Sequence, residues 1–281
     1  KFLLTKGLNQ QLNITMNKEN KHQPLVSIIM NCYNGEAYLK ESIESVILQN
    51  YKNWELIFWD NKSKDKSQIV FKSYKDKRLK YFLAKEHTSL YSARNEAIKK
   101  CSGEFISFLD TDDVWYKNKL ELQIPLFEDP EVAVVYGNHF IFNQKLKKKK
   151  IFLKGKKPKG FILEDLLKNY CTSLVTLVIR KYFLDKYQPP FNSKFNIIGD
   201  FDLMIKMSTK YKFDCVEAPI AFYRIHDKNE SLVNKSIHIE ELKIWQKKMI
   251  NYPKVSHSKN FFNINNMINN LEIANFILNK D

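Results

Sequence analysis

The sequence predicts an α/β fold with a Rossmann-like, mostly parallel central sheet, flanking helices and a helical extension at its C-terminal end. Three observations predict it. Short apolar runs alternate with amphipathic segments from Pro24 onward, which is the pattern of βαβ units. Loop formers such as Asn31, Asn34 and Gly35 follow the first run. Two runs end directly on an aspartate, Asp60 and Asp110, and parallel sheets bind ligands beyond the carboxyl ends of their strands.

The elements follow in order. Residues 1–23 are polar, Asn-rich and without periodicity, so they predict a loosely docked arm rather than a secretory signal. Leu25 to Met30 is an apolar run suited to a buried strand. Leu39, Ile43, Val46 and Ile47 have the i, i+4, i+7, i+8 spacing of an amphipathic helix. Glu55 to Trp59 predicts a second strand, Ser67 to Tyr74 a polar helix, and Leu79 to Leu83 a third strand. Ser92 to Cys101 reads as a helix closed near Gly103. Phe105 to Leu109 is a fourth strand. The second half is less regular: strands at Val132 to Tyr136, Leu174 to Ile179 and Pro219 to Tyr223, a loop carrying Lys147 to Lys150, and a helix at Asp200 to Met207. The main domain is placed at 24–232, and 233–281 is the helical extension.

Composition bounds the function. At roughly 100–200 residues per domain, 281 residues allow one large domain or two small ones. A hydrophobic share of 44% excludes intrinsic disorder. No apolar run approaches the roughly 20 residues of a membrane-spanning helix. Cys32, Cys101, Cys171 and Cys215 are far apart, with no CxxC, which reads as free thiols in a reducing cytosol. The net charge of +15 attracts anions: nucleic acid, anionic lipid or nucleotide phosphates.

Local motifs choose among these. Asp110, Asp112 and Asp113 crowd three carboxylates behind an apolar strand, where their repulsion calls for hydrogen bonds or a divalent ion. An acidic turn capping the next helix is the other reading of the cluster. Asp60 ends a strand ahead of a turn-like polar stretch. Asp200 and Asp202 stand too close in sequence to share a helix face. One can face a cleft as a general base while the other caps the helix or pairs with a lysine. His226 follows a strand and is a candidate ligand, acid/base group or surface residue.

Taken in order, these segments resemble the family-2 glycosyltransferases of GT-A fold. Cys32-Tyr33-Asn34 to Leu39 is similar to the family's x-Y-N-x-x-x-x-L. Gln49-Asn50-Tyr51 with Glu55 to Asp65 is similar to its Q-x-Y…E-L-I-V-V-D-D-G-S-x-D. Ala93-Arg94-Asn95 with Gly103 to Asp113 is similar to A-R-N…G-E-Y-I-x-F-L-D-x-D-D, and Trp115 to a D-D-x-W. Gly199 to Lys206 and Tyr223 to His226 resemble E-D-Y-D-L-W-L-R and Y-R-x-H. The likeness covers roughly residues 25–232. It departs at Asn61 and Lys62, which replace an Asp and a Gly, and at Gly199, which replaces a Glu.

The resemblance implies roles. Tyr33 and Asp60 would contact the nucleotide base, and Arg94 would lie near the nucleotide and fix its loop. Asp110 would reach the ribose or metal-linked waters. Asp112 would hold a divalent cation (Mg2+ or Mn2+) that bridges the diphosphate, with His226 a further metal or diphosphate contact. Asp200 would be the catalytic base, with Asp202 as fallback. Asn34, Trp115 and Asp202 complete the substrate-binding set. One base and one displacement imply inversion. The implied donor is a nucleotide-sugar, with UDP favoured. The implied acceptor is a glycan or lipid-linked hydroxyl in cell-surface polysaccharide or lipopolysaccharide synthesis. Lys147 to Lys150 suggest attraction to an anionic leaflet, hence a cytoplasmic protein peripheral at the inner face of the membrane. No nucleic acid is expected, because the acidic cluster repels phosphates. The alternatives are a non-catalytic sugar-nucleotide-binding relative and a basic nucleic-acid-binding protein.

Overall fold

The computed structural model describes residues 23–278. The expected arm at 1–23 therefore lies outside the described residues except for Gln23. The first half contains β1 (Val26–Cys32), α1 (Glu36–Ile47), β2 (Trp54–Asp60), α2 (Ser67–Lys72), β3 (Leu79–Leu83), α3 (Leu90–Ile98) and β4 (Phe105–Phe108). Then come β5 (Val114–Trp115), α4 (Lys119–Gln123), β6 (Val132–Asn143), β7 (Lys148–Ile151), α5 (Leu163–Lys168), β8 (Val178–Arg180) and α6 (Lys181–Leu184). The chain continues through α7 (Gly199–Ser208), β9 (Lys212–Ile225), α8 (Glu230–Val233), α9 (Lys235–Met249), α10 (Pro253–Ser256) and α11 (Ile264–Leu278).

One sheet runs β3-β2-β1-β4-β8-β6-β9-β5, with β7 paired to β6. The first four strands are parallel, as the alternation predicts. The rest corrects the expectation of a mostly parallel sheet. β8 is antiparallel to both β4 and β6, and β5 is antiparallel to β9, so the sheet is mixed. β7 is antiparallel to β6 as well, and there the short link allows only an antiparallel return.

Two local expectations also change. Lys148 to Lys150 belong to β7, an edge strand rather than a loop, with Lys147 turning the hairpin at φ 51°. Lysines suit an edge because their charge discourages further pairing. The run expected as a strand from Leu174 begins as a 3-10 turn over Leu174–Thr176, since Ser173 O accepts from both the backbone and hydroxyl of Thr176.

Alternate residues of each parallel strand feed opposite faces. Ile28, Met30, Leu56 and Phe58 pack beneath Leu39, Ile43 and Val46 of α1. Ile29, Ile57 and Phe108 pack with Tyr91, Ala97 and Ile98 of α3 and with Met204 and Ile205 of α7. Leu242 and Trp245 of α9 join that second core. No helix among the described residues is long and apolar enough to cross a membrane.

Candidate active site

The carboxyl ends of β1, β2 and β4 form one rim. At the end of β1 the chain turns sharply, with Asn34 at φ 54°, a conformation asparagine tolerates better than most residues. Its side-chain oxygen accepts from Lys64 N at 2.8 Å, and its own N–H donates to Ser63 Oγ at 3.0 Å. Tyr33 is half-exposed, its ring 4.1 Å from that of His87. Asp60, at the end of β2, is buried and accepts from Ser63 N at 2.7 Å and Tyr81 O–H at 2.6 Å. Asn61 bonds Thr88 through both its amide atoms.

Beyond β4 the acidic loop lies against α1. A Cβ on Gly35 would stand 2.6 Å from Thr111 Oγ1, so only glycine allows this approach. Ser42 Oγ is within reach of the carbonyls of Thr111 and Asp113, at 2.8 and 2.7 Å. Asp110 and Asp112 remain open to solvent, at 39% and 26% exposure. Asp110 accepts from the buried Arg94 at 2.6 Å. Asp112 meets His226 Nε2 at 3.0 Å and Asn229 Nδ2 at 3.3 Å. Asp113 points inward and accepts from Arg224 N at 2.9 Å, while Arg224 Nε donates to Asp112 O at 2.9 Å. Burial raises the proton affinity of Asp112, the charge of Asp110 adds to it, and His226 opposes both. Burial pushes Asp113 well above the ordinary carboxyl range, helped by its two acidic neighbours.

The start of α7 separates its two aspartates. At about 100° per residue they point to opposite sides of the helix. Asp202 is buried, 2.5 Å from Lys206 Nζ and 3.0 Å from Trp245 Nε1. Asp200 faces α3 and accepts from Tyr91 O–H at 2.9 Å. Burial raises its proton affinity against the opposing pull of Arg94 and Tyr91. The Arg94 guanidinium lies 5.2 Å from the Tyr91 ring centroid. Asp110, Arg94, Tyr91 and Asp200 thus form one chain of contacts between the acidic loop and α7.

Two residues expected to touch substrate are turned into the core. Asp202 is one. Trp115 is the other: it is buried, and its Nε1 donates to Val175 O at 2.8 Å. Other residues at the rim were not expected. Arg224 braces the acidic loop, and the Y-R-x-H segment held that signal. Tyr91 carried none. Neither did Glu241 of α9, whose buried carboxylate accepts from the backbone N–H groups of Asn196, Ile197 and Ile198 at 2.5, 2.9 and 3.1 Å, clamping the entry to α7. Among the described residues, no three His, Cys, Asp or Glu side chains gather as a metal cluster.

The chain is similar to known proteins in sequence and in fold. The family model "Glycosyl transferase family 2" matches residues 27–203. The chain belongs to glycosyl transferase family 2. It is 38% identical over 170 residues to the Escherichia coli UDP-Glc:alpha-D-GlcNAc-diphosphoundecaprenol beta-1,3-glucosyltransferase WfgD. That stretch is 60% of this chain and 66% of the relative, just under two thirds of its length. In fold it is similar to S. aureus TarS 1-349 in complex with UDP-GlcNAc, at a TM-score of 0.67 and 17% identity over 85% of this chain and 72% of that one. It is also similar to the mannosyltransferase PcManGT from Pyrobaculum calidifontis in complex with GDP-Man and Mn2+, at a TM-score of 0.62 and 16% identity over 82% and 65%.

Proposed function

We propose that the chain is an inverting glycosyltransferase. It moves a sugar from a UDP-sugar to a hydroxyl of a glycan or lipid-linked acceptor in the synthesis of cell-surface polysaccharide or lipopolysaccharide. The observation that carries this reading is the contact path Asp110–Arg94–Tyr91–Asp200, which sets an open acidic loop and one separate carboxylate around a single buried arginine. The donor and acceptor classes are supported by WfgD, whose name gives UDP-Glc and a diphosphoundecaprenol-linked sugar.

Each residue has a task. Tyr33 offers a half-exposed ring face for the nucleotide base to stack on. Asp60 sits beside it at the end of β2 with lone pairs still free for the base. Asp110, oriented by Arg94, takes the ribose. Asp200 takes the proton of the acceptor hydroxyl. A carboxylate with raised proton affinity is a better base near neutral pH than an ordinary one. Attack by that single hydroxyl from the face opposite the leaving group inverts the anomeric carbon. Orientation of the two substrates supplies much of the rate.

The residues present fit a divalent cation. Burial and Asp110 disfavour the charged form of Asp112, a crowding that a cation relieves. Asp112 and His226 lie close enough to share an ion, and few protein ligands suit Mg2+ or Mn2+, which keep waters and substrate phosphates. Asp112 and His226 would hold it. When bound, the ion supplies charge stabilisation to the departing diphosphate.

A place at the cytoplasmic face of the membrane, held peripherally, is supported by the charge of +15 and the exposed Lys148 to Lys150 on β7. Sedimentation with anionic vesicles at two salt concentrations tests this; equal pelleting with neutral vesicles would overturn it. The activity is tested by nucleotide release from a panel of UDP-, GDP- and dTDP-sugars with Mg2+ or Mn2+. We expect release from a UDP-sugar that needs Asp200. Silence across the whole panel with polyprenyl-linked acceptors present would refute the reading.

A further inference from the structure

Gly199 stands where the resemblance has a glutamate, and its space is taken. A Cβ built there would lie 2.6 Å from Cδ2 and Cε2 of Tyr91 and 2.7 Å from Cγ. Gly199 opens a regular helix, so it is room rather than backbone freedom that requires glycine. The occupant is a buried tyrosine whose ring packs 5.3 Å from Phe191. Its hydroxyl has one proton and two acceptors at the same 2.9 Å distance, Asp200 Oδ1 and Ile197 O.

We infer that Tyr91 is a positioning residue for sugar transfer: its hydroxyl aims and stabilises the ionised Asp200 carboxylate, and Gly199 is small so that the Tyr91 ring can stand there. This rests on the assignment of Asp200 as base. An ionised carboxylate is a stronger acceptor than a peptide carbonyl. The proton therefore points to Asp200 while the base is ready, and is released to Ile197 O once the base has taken a proton. Arg94, one helical turn along from Tyr91, faces the same carboxylate and helps to hold it charged. Tyr170 faces it from outside α3 and α7 and feels its charge. On α7 itself, the backbone N–H of Phe201 also favours the ionised form. Among these, Tyr91 alone donates to Asp200 from a neutral side chain that can turn away.

The test is Tyr91→Phe, which keeps the ring and removes only the hydroxyl. We expect the acid limb of the kcat/KM profile to move up by about one pH unit, as loss of a charge-assisted hydrogen bond implies. The KM for the donor should stay unchanged and activity should recover at high pH. An unmoved acid limb would show that Tyr91 only packs. Carbon-13 titration of the Asp200 carboxyl in both proteins reads the same shift without any activity. If Asp200→Asn stays active while that titration still moves, the base assignment fails and the contact stands; if the titration does not move, the inference itself fails. The spatial half is tested by melting. Gly199→Ala should lower Tm more in the native background than beside Tyr91→Ser, and equal losses would overturn it.

Discussion

The acidic loop after β4 and the first turn of α7 each carry aspartates two positions apart, and they use them in opposite ways. In the loop, Asp110 and Asp112 both reach solvent, and each is met by a cationic or polar partner from a different element. In α7, helical geometry sends Asp202 into the core and leaves Asp200 alone toward the rim. The lesson is that the same spacing means cooperation in a loop and separation in a helix. A motif written as letters does not show which; the backbone beneath it does.

Substitutions can break this contrast. The largest effect is expected at the helix: Asp200→Asn should lower transfer by about 10²–10⁴-fold with an unchanged circular dichroism spectrum and Tm within a degree or two. In the loop, Asp112→Ala should lower transfer by about 100-fold and weaken nucleotide binding in the presence of Mn2+, read by calorimetry with and without the ion. Asp202→Ala should do the reverse of Asp200→Asn. It leaves Lys206 and Trp245 Nε1 without their acceptor and should cost about 2–3 kcal/mol of stability, with the KM for the donor unchanged. The smallest effect is expected at Asp113. Its folded proton affinity is raised by burial, so the folded state holds its proton to higher pH than the unfolded chain does. Its stabilising share is therefore complete below the ordinary carboxyl range, at about pH 4, and is lost as pH rises through the folded value. Asp113→Asn should accordingly have a higher Tm than the native chain at pH 7 and no higher a Tm at pH 3.

Much of the first half was legible because its signals are local. Most strands of β1 to β4 are short apolar runs, α1 carries its own periodicity and α3 its own cap at Ser89. In the turn after β2, Lys62 stands where the resemblance has a glycine and takes φ 68°, the left-handed form that glycine adopts freely and that costs a lysine about 1 kcal/mol. The second half was harder because its partners are distant. β8 is three residues long and lies between strands from two other parts of the chain, so periodicity cannot reveal its direction. The likeness to D-D-x-W puts Trp115 among the substrate residues, yet its hydrogen bond runs to Val175. The Tyr91–Gly199 fit joins positions 108 residues apart and becomes visible only once α3 and α7 are packed. Arg224 sat in a recognisable segment, but its bracing role depends on β9 passing beneath the loop.

The three backbone amides received by Glu241 give the last fifty residues a stake in the chemistry. The ordering of the turn at 196–198 is borrowed from a helix beyond the point where the family match stops, at residue 203. Shortening the protein to the matched region would keep Asp110, Asp112 and Asp200 but remove Arg224, His226 and Glu241, and with them the brace on the acidic loop and the tether on the entry to α7. Such a fragment also lacks β9, which pairs with both β6 and β5 in the central sheet, and the part of the core that Leu242 and Trp245 fill, so minimal versions of this protein have to keep the chain through α9.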